Sequence, residues 1–222
     1  MKIKLIKLLL MNLLISNSLF IISAQSNQQS PILVSDWDRY LIPNNLQIDI
    51  PPTMEIQSGK FRKMADSYYR ALDMSSPNFV FQQKGLNNRE QTASEKYARI
   101  ILSVNEYISD KVIDVNSDIK SISTNRLNQI DTEIKTTLSE SYSQNNVKLV
   151  QWNGVKLIKI NNMSCVSYSH VRQLGNRPEV FVLNYSFERS NTRYILTLSY
   201  RLDKEQIYKK DFQTVINSLL LL

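Results

Sequence analysis

Histidine and cysteine are almost missing. The chain of 222 residues has one of each, and both fall in the short stretch Cys165-Val-Ser-Tyr-Ser-His170. A single thiol permits no internal disulfide, so the fold must be held by its core. At 42% apolar and 21% charged residues, the chain is long and apolar enough to bury one. A zinc site would have to draw mainly on carboxylates, an unusual donor set. One histidine removes most serine-type triads. Glycine is scarce too: Gly59, Gly85, Gly154 and Gly175 stand far apart. Loops that cradle phosphate need clustered glycines so that backbone amides can approach the anion. Neither nucleotide fingerprint occurs, nor does the Gly-x-Ser-x-Gly elbow.

The lone thiol and imidazole do not form a nucleophile and its base. A dyad needs the two groups within hydrogen-bond reach. Side chains alternate faces along a strand, and five is an odd separation. The two residues also stand about 16 Å apart at roughly 3.3 Å per extended residue. Cys165 reads as a small buried hydrophobe. His170 reads as a solvated or hydrogen-bonded strand residue on the face of Tyr168 and Arg172.

Other chemical motifs fail on particular residues. Asp114-Val-Asn116-Ser-Asp118 opens like a calcium loop. Ile119 then stands where glycine is needed, and Asn125 where a bidentate glutamate is needed. Asp36 and Asp38 flank Trp37, but in the expected docking segment rather than as a glycosidase pair. Asn162-Met-Ser164 and Asn184-Tyr-Ser186 match the glycosylation pattern incidentally. The expectation is therefore no catalytic residue, no metal site and no cofactor.

What is present begins with an export signal at residues 1–24. Lys2, Lys4 and Lys7 precede apolar runs at Leu8–Ile15 and Leu19–Ile22, and Ser23-Ala24 supplies small residues for cleavage. Asn12, Ser16, Asn17 and Ser18 break the run, which falls short of the ~20 apolar residues of a span. The segment holds three lysines and no acid, so its removal lowers the formal charge from +7 to +4. That value gives no reason to expect a nucleic acid partner, and a single thiol suits a periplasmic or extracellular protein of a bacterial envelope.

Residues 25–41 read as a linker that becomes a docking segment, and 42–222 as one domain. Strands are expected at Leu46–Ile50, ended by Pro51-Pro52, at Asn78–Lys84 and at Lys96–Tyr107. Residues 60–75 show helical spacing, and 108–122 read as a connection. Leu127, Ile130, Ile134 and Leu138 mark a helix over about residues 125–143, capped by Thr124 or Asn125 and ended by Asn145-Asn146.

Asn153-Gly154 predicts a tight hairpin between Val147–Trp152 and Val155–Ile160. Strands at Cys165–Arg172, Val180–Glu188 and Thr192–Arg201 follow, the last two joined by a turn at Ser190-Asn191. Asp203 and Gln206 suggest a capping box on a final helix. That helix should turn Ile207, Tyr208, Phe212, Val215, Ile216, Leu219 and Leu220 inward. The fold class is α+β, an antiparallel sheet packed against helices.

The layout resembles the PsbP-like α/β fold, named for an extrinsic photosystem subunit and shared with a Ran-binding nuclear import factor. The resemblance runs over about residues 42–221. It rests on Ile50-Pro-Pro-Thr-Met-Glu55, on KYARIILSV from Lys96, on RYILTLSYR from Arg193 and on DKEQIYKKDFQTVINSL from Asp203. It implies an α/β/α sandwich and a binding or assembly module rather than a catalyst. It transfers no functional residue.

Three functional readings follow. The first is a non-enzymatic exported module with a protein partner in the cell envelope and no membrane span after signal cleavage. The second is a small-molecule or lipid carrier with a pocket between sheet and helix lined by Tyr194, Tyr200 and Phe212. The third is a hydrolase without a recognisable motif. Arg172, Arg177, Arg189, Arg193 and Arg201 are either an anionic-ligand or partner surface or a solvated sheet face.

Overall fold

The computed structural model describes residues 33–42, 46–71, 78–88, 90, 95–106, 122–189 and 191–222. The export signal, the Asp114–Asp118 loop, residues 108–121 of the expected connection and Ser190 lie outside them.

The elements run β1 (Asp38–Ile42), β2 (Leu46–Ile50), β3 (Met54–Ile56), α1 (Gly59–Ala71), β4 (Phe79–Gln83), β5 (Ala98–Glu106) and α2 (Thr124–Gln144). They continue with β6 (Val147–Ile160), β7 (Met163–Leu174), β8 (Val180–Arg189), β9 (Thr192–Arg201), a 3-10 turn (Leu202–Lys204), α3 (Glu205–Ser218) and β10 (Leu220–Leu221). Seven strands form one antiparallel sheet in the order β3-β4-β5-β9-β8-β7-β6. A smaller sheet, β1-β2-β10, stands apart from it.

Strict alternation makes the large sheet. β8 and β9 pair from Val180↔Arg201 to Arg189↔Thr192, and β5 joins β9 from Ala98↔Tyr200 to Glu106↔Thr192. Ile100, Leu102, Phe187, Tyr194, Leu196 and Leu198 therefore share one face and are buried. Tyr208, Phe212, Val215 and Ile216 of α3 close over that face, and Leu46, Ile48 and Ile50 of β2 complete the core. Truncating any of these aliphatic side chains would cost about 2–5 kcal/mol. α2 packs against β6 on the opposite face, which makes the α/β/α sandwich. Among the described residues no helix is long and apolar enough to cross a membrane.

Three local expectations are corrected. Asn153-Gly154 does not turn the chain. β6 runs straight through it, with Trp152 opposite His170 and Val155 opposite Tyr168, so one extra residue bulges out. Gly154 takes φ +82° there, a conformation that suits glycine. The hairpin turn lies at Asn161-Asn162, with φ +44° and +68°, between the facing pair Ile160 and Met163. Two successive positive φ values fit a two-residue type I′ turn, and asparagine tolerates them. The Asp131 carboxylate on α2 fixes the bulge. It accepts the Val155 amide at 2.7 Å and the Trp152 indole N–H at 3.1 Å.

The second correction concerns caps. Ser123, not Thr124 or Asn125, caps α2, its hydroxyl accepting the Arg126 amide at 3.2 Å. Asp203 caps nothing. It lies in the 3-10 turn, and Lys204 precedes α3 without a side-chain cap bond. Its carboxylate is taken by Arg201, whose Nε donates at 3.0 Å, because a charged fork outcompetes a lone amide. Third, Ile207 is not inward but 48% exposed. The helical stripe begins at Tyr208, one position later.

Candidate functional site

The face of the large sheet under α2 differs in kind from the apolar core face. Register sets its composition. His170 of β7 stands opposite Val182, Val182 opposite Ser199, and Ser199 opposite Arg99. These four side chains form one row across four strands on one side. The neighbouring row holds Tyr168, Asn184, Thr197 and Ile101. The row on the other side holds Arg172, Val180 and Arg201, with Tyr97 just before β5.

His170 sits at the bottom of this face and is 1% exposed. Its Nε2 and the Tyr142 hydroxyl of α2 are 2.7 Å apart. Trp152 and Tyr168 stack beside it, with ring centres 6.2 and 6.3 Å away. Burial, and then the Arg172 charge, hold its pKa down at about 4. The imidazole is therefore neutral at pH 7. One ring nitrogen is engaged by Tyr142, while Nδ1 is buried and has no hydrogen-bond partner.

Tyr142 closes the cluster from above. Burial raises its hydroxyl pKa, a nearby Tyr97 adds to the shift, and Arg172 opposes it. The Arg172 guanidinium lies over the Tyr142 ring, 6.0 Å from its centre. On β5 the pattern repeats: Arg99 lies 5.4 Å over the Tyr97 ring. The Tyr97 and Ser199 hydroxyls are 3.3 Å apart. Thr197 donates to Asn184 at 2.7 Å, which occupies the asparagine of one apparent glycosylation match.

The thiol lies on the other side of the sheet. Cys165 is fully buried in the core cluster, and its Sγ is 3.5 Å from the Met163 carbonyl. Burial pushes its pKa up to about 12. The two groups therefore face opposite ways, as the odd separation requires. The expectation that His170 is hydrogen-bonded holds; the solvated alternative does not, because Trp152, Tyr168 and Tyr142 cover it.

The expected carrier pocket is filled by its own lining. Tyr200 contacts Phe181 and Phe212 at ring distances of 5.3 and 5.7 Å. Tyr208 lies 5.9 Å from Phe212, and Tyr194 stacks on Phe187 at 5.2 Å. A groove of about 610 Å³ does open elsewhere, at the outer edge, between Lys135 and Ser139 of α2 and Lys148 and Leu149 of β6. It is wide and shallow, unlike a closed apolar lumen.

The five arginines singled out in the sequence do not act as one patch. Arg193 pairs with Glu188, Arg201 with Asp203 and the Glu95 carbonyl, and Arg189 with the Leu222 carbonyl. Arg177 is exposed. Only Arg172 joins the cluster at His170. The sequence reading missed Tyr97, Arg99, Tyr142, Trp152 and Asp131. For Arg99 a signal existed: a charge within KYARIILSV, on the face opposite Ala98, Ile100 and Leu102.

No protein-family model matches the chain, and no curated protein matches it in sequence. Solved structures do match in fold. The solution structure of cyanobacterial PsbP (CyanoP) from Synechocystis is 14% identical, with a TM-score of 0.54, over 88% of this chain and 98% of that one. A crystal structure from Bacteroides thetaiotaomicron is 8% identical, with a TM-score of 0.46, over 84% of this chain and 49% of that one. LpqN, involved in cell envelope biogenesis of Mycobacterium tuberculosis, is 12% identical, with a TM-score of 0.44, over 82% of this chain and 87% of that one. The likeness to CyanoP makes the fold PsbP-like. At such identity no side chain carries over with it.

Proposed function

We propose that the chain is an exported, non-catalytic binding or assembly module. In this reading residues 1–24 direct export, the residues from 25 up to β1 tether, and the domain that begins with β1 binds a protein partner in the periplasm or outside the cell. The carrying observation is the state of the two most reactive side chains. The thiol is held protonated in the core, and the imidazole is held neutral between aromatic rings on the opposite face. A nucleophile needs a depressed pKa or an adjacent base, and Cys165 has neither. A general base works best with a pKa near the operating pH, and that of His170 lies well below it. The PsbP-like fold, built in CyanoP around the same sandwich, suits such a module.

The test is affinity capture of the tagged mature protein from its native envelope, followed by reconstitution from purified components. The expected result is one partner that rebinds saturably when both are pure. Turnover in a broad hydrolase panel, with no partner that survives purification, would overturn the reading.

A further inference from the structure

Half-buried arginines in this protein usually meet carboxylates. Arg39 pairs with Asp49, Arg62 with Asp66, Arg193 with Glu188 and Arg201 with Asp203. Arg99 and Arg172 do not. Among the described residues each meets only a tyrosine ring, and the buried Arg99 Nε–H has no acceptor. Both stand on the sheet face under α2, Arg99 on β5 beside Ser199 and Arg172 on β7 two residues beyond His170. The second unsatisfied group on that face is His170 Nδ1. When Nε2 accepts from Tyr142, Nδ1 carries the proton and is a donor. The face therefore carries two positive charges that meet no carboxylate among the described residues, one arginine N–H without an acceptor, and the hydroxyls of Tyr97 and Ser199. A buried donor left unsatisfied is destabilising, and an oxygen-rich ligand would relieve it.

We propose that this face, from Arg99 on β5 to Arg172 on β7, binds a small multivalent oxyanion of the polyphosphate or polycarboxylate class. Arg99 and Arg172 rise from strands three apart, about 14 Å at the usual strand spacing. Two fixed positive charges favour a ligand that carries more than one negative charge over a singly charged anion. Arginine suits the task because its planar fork binds two oxygens at once. The inference rests on reading the chain as a binding module and names the chemistry of its ligand.

The experiment is titration of the isotope-labelled mature protein with inorganic pyrophosphate, citrate and orthophosphate, read by amide chemical shifts, with phosphate release followed in parallel. Pyrophosphate or citrate should saturate at lower concentration than orthophosphate. The shifts should centre on residues 97–99, 170–172, 182 and 199, and binding should weaken as salt rises. Preference for pyrophosphate over citrate marks a phosphate ligand; the reverse marks a carboxylate. Arg99→Gln and Arg172→Gln should each lower affinity tenfold or more, with Arg177→Gln as the unaffected control. Absent shifts, or shifts confined to the Lys135–Lys148 groove, would overturn the site, and the wild-type map decides this even if a variant fails to fold. Binding with phosphate release would keep the site and remove the non-catalytic reading. Absence of binding beside a confirmed protein partner would do the opposite.

Discussion

Protonating His170 would place a charge among three aromatic rings and close to Arg172. Its folded pKa of about 4 lies below the ordinary 6.5. Between those values the unfolded chain binds a proton that the folded chain refuses, so acid favours unfolding. The contribution is complete above about pH 6.5 and is lost as pH falls towards 4. A shift of that size is worth about 3 kcal/mol. We expect the wild type to lose about 2–3 kcal/mol more between pH 7.5 and 4.5 than His170→Gln does. Urea denaturation at the two pH values measures this, and equal losses in both proteins would refute it. Glutamine keeps a polar partner for Tyr142 but cannot titrate.

The β6–β7 hairpin shows how elements compete. Two dipeptides could turn this chain, and Asn153-Gly154 is the stronger turn signal in isolation. Asn161-Asn162 prevails because tertiary bonds hold it. Asn161 Nδ2 donates to the carbonyls of Asn217 and Leu219, both at 2.7 Å, tying the turn to the end of α3. Asn153-Gly154 is meanwhile held open as a bulge by Asp131. We expect Asn161→Gly to destabilise the protein by about 1–2 kcal/mol more than Asn162→Gly. Both variants keep the positive φ, so the difference isolates the two side-chain bonds. Thermal unfolding compares them, and equal melting temperatures would discount the tie. This contest also limits what the sequence could disclose. Alternation placed β7, β8 and β9 but cut β6 in two at Asn153-Gly154, and apolar spacing placed α2 and α3. Which turn closes, and which carboxylate caps, depends on partners far along the chain. The site follows the same rule: the face of His170 was legible by parity, but Tyr142, 28 residues before it, was not.

At the scale of the whole molecule, the smaller sheet joins the segment before residue 50 to the rest. Its charged contact is a forked pair: Arg39 Nε and Nη2 donate to the two Asp49 oxygens at 2.8 and 2.9 Å. Asp49 is buried, while Arg39 remains partly open to solvent. Removing the guanidinium leaves a buried carboxylate without a counter-charge, so Arg39→Met should cost about 3 kcal/mol or more. Arg39→Met combined with Asp49→Leu should recover most of the loss. Urea midpoints of the wild type, both single variants and the double variant close this cycle, and a single Arg39→Met loss under ~1 kcal/mol would show the pair to be merely superficial.

That sheet also dictates when folding can finish. Leu220 and Leu221 pair with Gln47 and Leu46, and the Asp49 amide donates to Ser218 Oγ across 169 residues. A ribosome releases the early strand long before its late neighbour exists. The clasp therefore cannot shut until Leu220 and Leu221 are in place beside β2.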